Sequence, residues 1–223
     1  MKHALWSVVL LGLVGCEGVL VGERGDAPPK GPACSGEQYC VGSSKLTRLT
    51  ASEYQQTVSA AFGALVTGER FEGLPGDGRA GPFASNDDSP VNDDFVAQYR
   101  LVAEHVAATV AGAHLTALGC SGAVDDACVS AFVTRTARAL FRGPSTVEDL
   151  APYVALFHAR QAASGDAAAT RVTLTAMLQS PRFLYHVQTG APVAATVAPG
   201  PGEVVQLSGA ALANRLSYFL WGT

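Results

Sequence analysis

Charge is scarce in this 223-residue chain. Lys and Arg number 15 and Asp and Glu 19, giving a net charge of −4, and charged residues make up 15% of the total. No basic cluster interrupts that pattern, so nucleic acid is not an expected partner. Long hydrophobic runs are lacking too. Past the first fifteen residues, no apolar segment approaches the ~20 residues that a bilayer span needs. The signatures of several active sites are missing: there is no G-x-S-x-G, no H-E-x-x-H and no phosphate-loop pattern. Neither pair of neighbouring cysteines sits in a C-x-x-C-H sequence, so covalent haem has no attachment point in this stretch. Disorder is excluded by the opposite observation. Apolar residues make up 48% of the chain, enough for a real core in one or two domains.

The chain opens with an address. Lys2 and His3 supply a small positive charge, and an apolar run from Ala4 to Val14 follows, of signal-peptide length. Leu13-Val14-Gly15-Cys16 resembles the lipobox of bacterial lipoproteins. That resemblance implies cleavage before Cys16 and acylation of its thiol, and several buried acyl chains at ~0.8 kcal/mol per CH2 make a stable anchor. The expected location is the cell envelope, lipid-anchored on a periplasmic or outer-membrane face or at the cell surface. Residues 1–15 are then the lipoprotein signal peptide. Residues 16–44, rich in Gly, Pro and small polar residues, are a tether with a short disulfide loop.

Of five cysteines, four remain after Cys16: Cys34, Cys40, Cys120 and Cys128. They fall into two close pairs, as expected for local disulfides in an oxidising compartment. Each loop this short contributes roughly 2–2.5 kcal/mol on the chain-entropy view. A four-thiolate zinc site is the alternative, but zinc favours about two to four intervening residues and both gaps here are wider. No metal ligand set and no cofactor is assigned.

Helical spacing dominates the remainder. Thr50-Ala51-Ser52-Glu53 is a capping box, with Leu49 and Tyr54 as its hydrophobic staple and Gly68 near the end of the helix it opens. Gly76-Asp77-Gly78-Arg79-Ala80-Gly81 has the form G-x-G-x-x-G. A helix precedes it and prolines flank it, so a turn-rich loop is expected rather than a dinucleotide site. Asn86 to Asp94 gathers acids and amides, yet Val91 breaks the order a calcium loop requires. Asn92 and the two following aspartates read better as a helix start. The helix they open carries Val91, Phe95, Tyr99, Val102, Val106 and Val110 on one stripe. A third helix holds Val129, Phe132, Val133, Leu140 and Phe141 and ends at Gly143-Pro144. Ser145-Thr146-Val147-Glu148 caps a fourth, Ser164-Gly165-Asp166 breaks it, and a fifth runs over 167–179. Ser180-Pro181 starts a helical turn, and Leu207-Ser208 opens a sixth helix. No strand is expected. The fold class is all-α: an irregular multi-helix bundle with long loops, preceded by a signal peptide and a flexible tether.

Three blocks of this sequence resemble the planctomycete-specific-domain family of secreted multidomain proteins of unknown function, here in the form of a myxobacterial-type lipoprotein. Leu46-Thr47-Arg48-Leu49-Thr50-Ala51-Ser52-Glu53-Tyr54 resembles the R-L-T-x-x-E-Y opening of one domain. Ser180-Pro181-Arg182-Phe183-Leu184-Tyr185 resembles the S-P-x-F-L-Y mark closing a second. Leu212 to Trp221 resembles the L-A-x-R-L-S-Y-F-L-W start of a third. The chain departs from the family at Arg142-Gly143-Pro144-Ser145, where Arg-Arg-Pro-Leu is usual, and at His186, where Arg is usual. The resemblance implies an N-terminal helical domain over 45–118, a second over 119–190, and a truncated start of a third over 203–223. It carries over no catalytic residue. Tyr185 and Trp221 are expected to be core residues at helix ends.

Two functions follow as expectations. One is a lipid-anchored, non-catalytic binding or structural module of the envelope, whose partners are the membrane and an envelope protein or polysaccharide. The alternative is the N-terminal part of a secreted enzyme or redox system acting on an extracellular polymer, as the cytochrome-like domains of some relatives suggest. The helix ending at Trp221 is apolar around most of its circumference. The chain is therefore expected to be a fragment of a longer product, with that helix loosely docked and partly uncovered.

Overall fold

Helix α1, Ala51–Phe62, starts on the capping box expected of it. The Thr50 hydroxyl accepts from the Glu53 N–H at 3.2 Å, and the Glu53 carboxylate accepts from the Thr50 N–H at 2.7 Å. Leu49 and Tyr54, the staple, are both fully buried. The helix ends sooner than Gly68. Gly63 turns to φ 51°, a conformation only glycine takes without strain, and a 3-10 turn over Gly63–Val66 follows.

The structure, a computed structural model, describes residues 46–69, 71–86, 91–186, 190–192 and 205–223. The described residues all belong to one compact unit, Ser43–Thr223. The expected signal peptide, Cys16, the expected tether and the expected Cys34–Cys40 disulfide lie outside the described residues.

The G-x-G-x-x-G stretch is a loop closed by a two-residue ribbon, β1 (Arg79–Ala80) against β2 (Phe83–Ala84), antiparallel with Ala80 opposite Phe83. Helix α2, Asp93–Gly112, is capped by Asn92, whose side-chain oxygen accepts from the Phe95 N–H at 3.0 Å. Its stripe is buried at Tyr99, Val102, Val106 and Val110, while Val91 lies ahead of the helix and faces solvent. A short α3 (His114–Leu118) leads to the Cys120–Cys128 disulfide, Cα atoms 5.7 Å apart, which closes the turn into α4 (Asp126–Phe141).

Helix α4 ends at Phe141, two residues before Gly143, because Arg142 itself takes the left-handed conformation at φ 53°. Helix α5, Val147–Leu178, is capped by Thr146 with Asp149 as reciprocal partner. The box sits one residue later than Ser145 with Glu148, since Thr146-x-x-Asp149 offers the same chemistry in phase with the helix. The expected break is present at Gly165, φ 79° and ψ 177°, so α5 is two helical halves meeting at a kink. Then come α6 (Pro181–Leu184), with Ser180 as cap and Pro181 in the first turn, and a ribbon of β3 (Gly190–Pro192) with β4 (Val205–Leu207). Helix α7, Gly209–Trp221, is capped by Ser208.

The fold is all-α, an irregular multi-helix bundle. Two small ribbons appear that hydrophobic periodicity did not announce, because each is too short to carry an alternating pattern. One hydrophobic cluster runs through the bundle. Helices α2 and α4 both pack on α5, and α1 rests on α4. Among the described residues, no helix is long and apolar enough to cross a membrane.

Candidate functional site

The opening and closing motifs meet. The Leu49 N–H donates to the Leu184 carbonyl and the His186 N–H donates to the Thr47 carbonyl, both at 2.8 Å, making Arg48 and Tyr185 an antiparallel bridge pair. Phe183 is thereby seated on Tyr54, ring centroids 4.9 Å apart, and the two rings belong to different motifs.

Beside this seam lies a chain of polar side chains drawn from four elements. Glu53 of α1 holds the Thr50 N–H and hydroxyl with one carboxylate oxygen, and its other oxygen stands 3.4 Å from Nε2 of His186. The His186 ring meets the Tyr218 ring edge to face, centroids 4.4 Å apart. The Tyr218 hydroxyl lies 3.1 Å from the Thr57 hydroxyl. Thr57 also accepts from Nη2 of Arg142 at 2.8 Å, and the Arg142 guanidinium sits 4.3 Å above the Tyr218 ring. The left-handed turn at Arg142 releases that side chain from the α4 ladder, so the one non-glycine residue of positive φ among the described residues is also a network member.

Burial and charge oppose each other here. Burial pushes the Glu53 carboxyl up, but the His186 contact and the Thr50 hydrogen bonds outweigh it and hold the group below the usual carboxylate range. Burial pulls the Arg142 guanidinium down to about 10, against the opposing pull of Glu53. The Arg142 Nε is buried without a hydrogen-bond partner.

A second polar group staples the 73–86 loop onto α1. Asp77 accepts from the Ala51 N–H at 3.0 Å, where a carboxylate suits the positive end of the helix. Asn86 donates to Asp77 at 2.9 Å and to the Leu49 carbonyl at 3.0 Å, and its side-chain oxygen accepts from the Gly78 N–H. Arg48 sits nearby at 3% exposure, its guanidinium 4.4 Å above the Phe95 ring and 5.5 Å from that of Tyr99. None of its three nitrogens has a hydrogen-bond partner.

Sequence reasoning missed Thr57, Asp77, Arg142 and His186 as members of these groups. Asp77 sits in a loop with no periodicity to place it. Only His186 had a faint signal, standing where the family usually has Arg, whereas Arg142 keeps the Arg of the family pattern. Trp221 is 67% exposed rather than a core residue, because α7 turns only Ala211 and Tyr218 inward. Tyr185 is half-buried at the seam. Of the histidines, His105 is exposed and reaches Glu69 at 2.9 Å. Among the described residues, no three His, Cys, Asp or Glu side chains are grouped as a metal would require.

Apart from these groups, an open groove of about 740 Å³ runs between α2 and α5. Small residues such as Ala108, Gly112 and Ala168 line it together with Glu104, Arg160 and Arg171.

Residues 47–112 match the family model of PSD3, a protein of unknown function (DUF1587), and residues 128–188 match that of PSD5, a protein of unknown function (DUF1595). The chain belongs to the planctomycete-specific-domain family. No curated protein and no solved structure matches it. The two planctomycete-specific domains share the seam and its hydrophobic cluster: Thr47, Leu49 and Tyr54 come from one, and Arg142, Phe183 and His186 from the other.

Proposed function

We propose that this chain is a lipid-anchored protein of the cell envelope whose folded part is a non-catalytic binding or structural module. One observation carries the reading. Five polar side chains of the family motifs, Thr50, Glu53, Arg142, Ser180 and Tyr218, are engaged with one another, with Thr57 and His186, or with helix ends inside the fold. A catalytic set needs its reactive groups turned towards a substrate. These are spent on joining segments, which suits a rigid body held at a surface. The open groove between α2 and α5 is the place such a module would offer a partner protein or polysaccharide.

The anchor is the part to test first, through Cys16. In the exported chain, Cys16→Ser is expected to move the protein from the membrane fraction to the soluble one. Membrane fractionation after a salt wash reads this directly, and a Cys16→Ser protein that stays with the membranes overturns the anchor.

A further inference from the structure

Both matched domains build the groove between α2 and α5: α2 falls within residues 47–112 and α5 within 128–188. Ligand sites favour such boundaries, and the volume of about 740 Å³ lies within the roughly 300–1,000 Å³ that they occupy. Most of the lining is small and aliphatic, with Ala111, Val172 and Ala176 beside the residues already named. A Cβ added at Gly112 would meet nothing within 4 Å, so the groove is open there.

Three charged side chains line this groove, and one of them is paired. Glu104 meets Arg100 at 2.9 Å, one turn back on α2. The guanidiniums of Arg160 and Arg171 are exposed and make no hydrogen bond or ion pair among the described residues. They stand on either half of α5 with the Gly165 kink between them, so the groove offers two cationic points in a chain of net charge −4. Its uncharged polar side chains are already engaged. The Thr175 hydroxyl donates to the Arg171 carbonyl at 2.9 Å, and the Gln179 amide donates to the Thr175 carbonyl at 3.2 Å. None of the described residues lining the groove is aromatic. A sugar polymer needs ring faces to stack on and free hydrogen-bonding side chains for its hydroxyls, and this lining provides neither.

We propose that the groove takes an acidic peptide segment of a partner protein, with carboxylates on Arg160 and Arg171 and aliphatic side chains on the alanine lining between α2 and α5. The planar fork of an arginine matches a carboxylate through two parallel hydrogen bonds. Two such points fix where an extended ligand lies and which way it runs. Small side chains on both walls let its backbone come close. The proposal rests on the reading of this chain as a non-catalytic binding module, and it decides between the protein and the polysaccharide which that reading allows.

The test uses the full exported chain in mild detergent and short fluorescein-labelled peptides in which Glu alternates with Leu and Ala, read by anisotropy. The Glu peptide is expected to bind, and its Lys counterpart is not. Arg160→Glu and Arg171→Glu are each expected to weaken binding about fivefold or more at an unchanged melting temperature. Arg138→Glu, at an exposed position of α4 outside the groove, is expected to change nothing. Gly112→Leu grows into the groove and is expected to block the peptide. Should a charge reversal unfold the chain, Arg160→Gln, Arg171→Gln and Gly112→Leu decide in its place. A Glu peptide that fails to bind, or that binds the reversed chains equally well, overturns the proposal. So does a polyuronate that binds where the peptide does not. A peptide recovered cleaved overturns the non-catalytic reading and leaves the ligand class standing. A chain held in the membrane by Cys16 that ignores the peptide does the reverse.

Discussion

At the scale of the residue, the junction separates groups that have found partners from groups that have not. Glu53 belongs to the first kind. Its carboxyl titrates below the usual range in the folded state, so the unfolded chain takes up its proton first as acid is added. The stability it contributes is present above about pH 4.3 and is lost as pH falls from there through the lower folded value. Glu53→Gln is expected to cost about 1–2 kcal/mol at neutral pH and to flatten the acid side of a plot of melting temperature against pH. An unchanged acid slope would show that the Glu53 carboxyl titrates alike in the folded and unfolded chain. Tyr54 belongs to the second kind. Its hydroxyl is fully buried without a partner, and burial pushes its pKa far up. Its ring packs on Phe71, Tyr99 and Phe183. Tyr54→Phe keeps those contacts and removes an unsatisfied group, so thermal unfolding is expected at the same or a higher temperature, by about 1 kcal/mol of stability. A loss of that size would mean the hydroxyl has a partner in solution.

At the scale of the element, two capping boxes with the same chemistry sit in different surroundings. Thr50 is buried and shares Glu53 with the His186 contact, whereas the Thr146–Asp149 box is exposed. A cap typically contributes about 0.5–2 kcal/mol. Thr50→Ala is therefore expected near the top of that range and Thr146→Ala near the bottom, as separate denaturant titrations would show. Equal costs would mean the junction adds nothing to the first cap. Helix existence was legible in the sequence because the apolar positions of α2 and α4 recur at helical spacing and because Thr, Asn and Ser mark the starts. Helix ends were less so. Gly63 and Arg142 stop their helices by adopting positive φ, and nothing in the Arg142 side chain advertises that. Helix α7 shows the limit of periodicity. Its apolar residues mark a helix but do not say which of its sides the rest of the chain will cover.

At the scale of the whole molecule, the three family blocks were legible as separate motifs, but their meeting was not. Hydrogen bonds between Leu49 and Leu184, or between Thr57 and Arg142, join positions so distant in sequence that no local pattern links them. The seam between residues 47–49 and 184–186 also imposes an order of events on the newborn chain. Synthesis proceeds from the first residue at roughly 5–20 residues per second, so the Arg48 segment waits on the order of ten seconds before its partner strand exists. Closing so long a loop is slow in its own right. During that interval Leu49 and Tyr54, later fully buried, have no Phe183 to cover them. The first half of this protein therefore keeps that apolar face open until the second half arrives.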